Sequence, residues 1–316
     1  MKNSDNLNIT FHQHIGHFLL LNSEVVDTLG MADKMSLIYY CFSYGSRYEK
    51  QHYVEFAFEI LQENLSQISN DIKRSPSEAI EIGYSLMRFL ENDFFESDEI
   101  DEILMPFDTI AIHNVERLSR GRFSANNIQE LLMMASYLLE RVKHLDEKAE
   151  HYPSIREHLL ITFFELNHHT DVCNGNNMVW ISWMKLLFQK GIKNKETAHL
   201  AQKGLQKLNN NKIISDDKMV LEQYTLAKTN GDLDLALLIS LCFSEGANHI
   251  TENRYVLRES IEIRIAQNME QLYQNVAATS SLSMRRIIVY AIALLQWPVP
   301  KDLAFLTTAT GRLIQE

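Results

Sequence analysis

The chain has 316 residues, 46% of them hydrophobic, with 11 glycines, 5 prolines and a net charge of −11 from 41 acidic and 30 basic side chains. Average usage is roughly 7% Gly and 5% Pro, so this composition is helix-rich and supplies a large core, and its acidic balance disfavours a phosphate-binding surface and hence nucleic acid as a partner. No run approaches the ~20 apolar residues that a membrane-spanning helix needs, and residues 1–8 are polar, unlike a signal peptide, so a cytoplasmic protein without membrane insertion is expected.

The chain reads as helical almost throughout. His12, His14 and His17 lie in a frayed start or a first helix and are expected on the surface rather than around a metal. Val54, Ala57, Phe58, Leu61, Leu65 and Ile68 recur at helical spacing and predict one apolar stripe. Ser75-Pro76-Ser77-Glu78 predicts a helix start, with Ser75 as N-cap, Pro76 at the first helical position and Glu78 completing a capping box. Ser97-Asp98-Glu99 predicts another, with acids where the helix dipole favours them. Further helices are expected near 126–143, 154–167, 178–190, 196–208, 216–229, 232–243, 254–277, 282–295 and 301–314. Gly231 suits the end of one helix and Asp232 the cap of the next. No run of alternating strands separates these helices, and short connections between many helices mean antiparallel hairpins. Such hairpins close into a ring or stack as an open solenoid; periodicity does not choose between them, and no fixed repeat length is visible. Cys41, Cys173 and Cys242 are far apart, two of them in apolar company, and read as buried free thiols.

Several segments resemble short members of the lanthionine synthetase C-like family. Leu29 to Leu37 is similar to that family's Leu-Gly-Leu-Leu-His-Gly-Lys-Met-Gly-Ile, and Tyr39-Tyr40-Cys41-Phe42 and Glu55-Phe56-Ala57 continue the likeness. Ile82 to Phe94 resembles Ile-Gly-x-Gly-Ile-Glu-Tyr-Leu-x-x-Asn-Gly-Phe, followed by the acidic stretch Asp98 to Leu104; Pro300-Lys301-Asp302 resembles a family ending. Thr229-Asn230-Gly231-Asp232-Leu233 is similar to the family's Cys-Tyr-Gly-Asp-Leu. The resemblance implies one all-α domain over 1–316, an α/α toroid of inner and outer helices built from hairpins. It also implies zinc, held by that cysteine and a later Cys-His pair, with an open fourth position for a substrate thiol. Here the matching positions are Thr229, Glu259 and Ser260, so all three ligand positions depart from the family and no zinc is expected. Glu78, Glu81, Arg285 and Arg286 stand where small residues are expected at the starts of inner helices, implying a narrower, charged cavity rim.

The leading expectation is therefore a non-catalytic relative that binds a precursor or leader peptide, or a partner dehydratase, in the modification of ribosomally made peptides. Arg285 and Arg286 are candidates for an acidic leader, against a solvated helix face. Trp180 and Trp183 are candidates for a peptide groove, against core packing. Asp232 is a weak catalytic candidate, since helix capping already explains it. His169 and Cys173 offer a weak replacement metal site. The alternatives are an active cyclase or thiol-addition enzyme with a rebuilt site, and an unrelated helical-repeat interaction module, for which the N- and C-terminal helices would not meet. No phosphate loop, nucleophile elbow, HExxH or dinucleotide fingerprint occurs.

Overall fold

The computed structural model describes residues 2–21, 26–27, 29–71, 76–95, 100–121, 125–170, 178–210, 222, 224–227, 229–230, 232–242, 248–274 and 281–296. Among them are twelve helices and no strand: α1 (Lys2–Leu21), α2 (Met31–Tyr48), α3 (Gln51–Asp71), α4 (Pro76–Glu91), α5 (Ile100–Arg120), α6 (Ala125–His144), α7 (Tyr152–His169), α8 (Met178–Ile192), α9 (Ala198–Asn210), α10 (Leu233–Cys242), α11 (Asn248–Gln274) and α12 (Ser281–Leu295). The fold is all-α, as the composition predicts. α4 begins at Pro76 and Asp232 immediately precedes α10, both as expected; Ser75, Gly231, 97–99 and 301–314 lie outside the described residues. The helices group into two compact units, Met1–Asp71 with Thr251–Glu316, and Ile72–Ile250.

In the unit of Ile72–Ile250, side-chain pairs define two layers. Glu91 meets His144 and Arg88 meets Glu140, so α4 and α6 run parallel; Ser136 meets Trp183 and Glu140 meets Lys190, so α6 and α8 do too. The second layer follows the same rule. Asp108 and Glu116 of α5 meet His151 and His158, while Arg156 and Asn167 of α7 meet Glu196 and Lys207. Across the layers the direction reverses, since Arg141 late in α6 reaches Asp101 early in α5, and Arg117 late in α5 reaches Glu130 early in α6. Stacked antiparallel hairpins produce this pattern. The separation between paired residues is 53 from α4 to α6, 50 and 47 from α6 to α8, and 40 from α7 to α9. The repeat is thus structural, and its uneven length is why no sequence period is visible.

Burial separates the layers. Every residue of α6 from 131 to 142 is buried, and α4 is buried without a break from 79 to 87, as in helices enclosed on all sides. α5 buries one stripe, Leu104, Phe107, Asp108, Ala111, Asn114, Val115 and Leu118, at the spacing of a helix with one wet face. Gly83 of α4 sets the depth of this contact, because a Cβ there would stand 2.9 Å from both the Phe107 and Tyr137 rings.

In the other unit α2 and α3 form an antiparallel hairpin. Glu49, at φ 54°, turns the chain after α2, and the Lys50 amide donates to the Gly45 carbonyl at 2.8 Å. The buried stripe of α3 is centred on Tyr53, Ala57, Ile60, Leu61 and Asn64. It is rotated from the predicted one: Val54, Phe58 and Leu65 are only half-buried and the Ile68 side chain is outside the described set. Tyr53 and Asn64 carry polar tips, so a hydrophobicity pattern does not mark them as inward. α12 runs parallel to α2, joined by Arg285–Asp33 at 2.6 Å, by Gln296 Nε2 donating to Tyr39 Oη at 2.7 Å, and by Arg47 donating to the Leu295 carbonyl. α1 packs on α12 and meets α2 at His12 and Tyr40.

Candidate functional site

Among the described residues, a dense set of chemically capable side chains lies at the C-terminal end of the α4–α6–α8 layer. Helical spacing places Glu140, Lys143 and His144 of α6 on one face and Tyr137 and Arg141 on the neighbouring one. The Glu140 residue is 1% exposed, and its carboxylate accepts from Lys143 Nζ at 2.5 Å and Lys190 Nζ at 3.1 Å, with Arg88 Nη1 at 3.8 Å. Burial alone would raise its pKa, but Lys190, Lys143 and Arg88 outweigh burial and hold it at about 2. Glu91 pairs with Arg88 and with His144 Nε2, the latter at 2.9 Å; burial lowers the His144 pKa.

On the adjacent face Arg141 is fully buried. Its Nε is 3.1 Å from both oxygens of Asp108, its Nη1 donates to Asp101 at 2.7 Å, and Tyr137 Oη donates to Asp108 Oδ1 at 2.6 Å. Burial works against the Arg141 charge, but Asp108 and Asp101 more than offset it. Burial also pushes the Asp108 carboxyl upward against the pull of Arg141 and Tyr137.

Glu91, Glu140 and His144 bring one ligand atom each within 4.8 Å of one another. The set does not fit a metal. Arg88 touches both carboxylates and two lysines hold Glu140, so a divalent ion would have to displace cations that already neutralise the site. Charge-matched pairing across helices makes this cluster a device that fixes the mutual register of α4, α5, α6 and α8.

The residues singled out from sequence fall in both units. Thr229 is exposed, and its Oγ1 donates to the Thr225 carbonyl at 2.7 Å. Asp232 is exposed, and its carbonyl accepts from the Ala236 amide as an N-cap's does. Thr229 and Asp232 belong to one unit, and Glu259 and Ser260, exposed and half-buried on α11, belong to the other. Arg285 is paired with Asp33, and Arg286 is half-buried. Trp183 is 2% exposed and its Nε1 donates to Ser136 Oγ at 3.2 Å, so it is a core residue; the half-buried Trp180 ring lies 6.4 Å from it. His169 Nε2 is 3.5 Å from Glu165, while Cys173 and the Cys242 side chain fall outside the described residues. Cys41 is buried, and burial raises its thiol pKa. His14 and His17 are exposed as expected, but His12 is fully buried, because the turn of α1 that carries it faces Tyr40 of α2.

Sequence reading missed Glu140, Arg141, Asp108 and Lys190. The available signal was Glu140-Arg141 inside the apolar run 131–142, where charges are tolerated only if paired. No family model, curated protein or solved structure matches the chain.

Proposed function

We propose that this protein is a catalytically silent, zinc-less relative of the lanthionine synthetase C-like proteins, an α/α toroid that binds a precursor or leader peptide, or a partner dehydratase, in cytoplasmic modification of ribosomally made peptides. The observation that carries the reading is Thr229. Where the resemblance requires a zinc thiolate, this chain has an exposed hydroxyl that donates to the carbonyl one turn back, Thr225, at 2.7 Å. With a carboxylate at Glu259 and a hydroxyl at Ser260, the donor set does not fit zinc.

Support for the toroid comes from each unit separately. Parallel layers of stacked hairpins run from α4 to α9, and in the other unit α12 packs against α1 and α2, so helices from the two ends of the chain meet. An open superhelix has no need of that contact. A scaffold kept without its Lewis acid retains binding as its use. Immobilised protein is expected to retain the precursor peptide or the dehydratase, and recovery of neither overturns the reading. A dehydrated precursor incubated with the protein is expected to keep its thiols free to alkylation; cyclisation read by mass spectrometry would overturn the non-catalytic part.

A further inference from the structure

The seam between α1, α2 and α3 gathers three buried polar atoms with no hydrogen-bond partner among the described residues: His12 Nε2, Tyr44 Oη and Tyr53 Oη. The three residues are 0%, 0% and 1% exposed. They are neighbours, the His12 and Tyr44 rings lying 6.2 Å apart and the Tyr44 and Tyr53 rings 4.9 Å apart, edge to face. Gly16, one turn after His12 on α1, brings Tyr53 into the same seam, since a Cβ there would stand 2.6 Å from Tyr53 Oη. Buried polar atoms in folded proteins are paired with protein or with ordered small molecules, because leaving them unpaired is costly.

The polarity of the seam follows from its bonded side. His12 Nδ1 is 3.3 Å from Tyr40 Oη, and Tyr40 Oη donates to the His12 carbonyl at 3.2 Å. Both contacts form at once when Nδ1–H donates to Tyr40 Oη, which leaves Nε2 as an acceptor. The ring is neutral, since burial, followed by the charges of Arg47 and Arg258, brings its pKa down to about 4. The seam thus presents one acceptor and two hydroxyls. A cation meets two nearby arginines there, and an anion meets the Nε2 lone pair.

We propose that the α1–α2–α3 seam is a built site for a small neutral hydroxylic molecule, whose oxygen accepts from a tyrosine hydroxyl and donates to His12 Nε2, and that its occupant is water held with a long residence time. One oxygen that accepts from a tyrosine hydroxyl and donates to His12 Nε2 meets this chemistry, and water is the smallest such molecule. This site fastens α1 to the α2–α3 hairpin and is independent of peptide binding.

Oxygen-17 relaxation dispersion on the full chain counts long-lived internal waters. Tyr53→Phe is expected to lose at least one and to melt at a lower temperature, with helix content unchanged by circular dichroism. Should Tyr53→Phe not fold, Tyr44→Phe is read in the same way. An unchanged count together with a higher melting temperature would mean that the hydroxyl was an unpaired burden, and overturns the proposal. Native mass spectrometry of the purified protein separates the two sources of hydroxylic ligand: a small organic adduct lost in Tyr53→Phe, with the water count unchanged, overturns the assignment to water.

Discussion

Arg141 and Glu140 are adjacent in sequence and both buried, yet they answer to different partners. Arg141 is held by Asp108 and Asp101, and Glu140 by Lys190, Lys143 and Arg88. Removing one member of a buried pair leaves the other uncompensated, which costs roughly 3–5 kcal/mol. Arg141→Leu is therefore expected to lose stability of that order in urea or thermal unfolding, and Arg141→Leu with Asp108→Asn to recover part of it. A single variant as stable as the parent would show that the pair contributes nothing. Glu140 gives a pH signature. Its pKa falls from 4.5 to about 2 on folding, so its stabilisation is complete above the unfolded value and is lost as pH falls from about 4.5 through about 2. The stability difference between the parent and Glu140→Gln is expected to shrink over that window by about 3 kcal/mol. A difference that stays flat from pH 6 to pH 2 contradicts the assignment.

At the scale of elements, small residues set how closely helices approach. Gly83→Ala is expected to cost about 1–3 kcal/mol, as overpacking does, because the new methyl meets Phe107 and Tyr137 at 2.9 Å and α4 must move away from α5 and α6. A melting temperature equal to that of the parent would place slack in that contact. Most helices were legible in the sequence, since their apolar spacing and caps are local properties: Pro76 opens α4 and Asp232 precedes α10 where the cap rules put them. The faces were less legible. The α3 stripe turned toward Tyr53 and Asn64, and His12 turned inward, because aromatic and polar-tipped side chains bury or not according to the neighbour they meet.

At the scale of the molecule, the proposed loss of zinc makes one decisive prediction. Protein purified without chelator is expected to hold no stoichiometric zinc by elemental mass spectrometry; about one zinc per chain would require a rebuilt ligand set and overturn the reading of Thr229, Glu259 and Ser260. By itself the sequence determined the all-helical class and the side-chain donor types at Thr229, Glu259 and Ser260 on which the proposal rests, since helix periodicity, caps and donor type are all written in local residues. Only the tertiary structure decided that α4, α6 and α8 lie parallel, that α12 returns to α1 and α2, and that Arg141, Glu140 and His12 are interior. Those outcomes join residues 28 to 257 positions apart, and which distant side chain completes a buried charge or a hydrogen bond is settled only when helices pack.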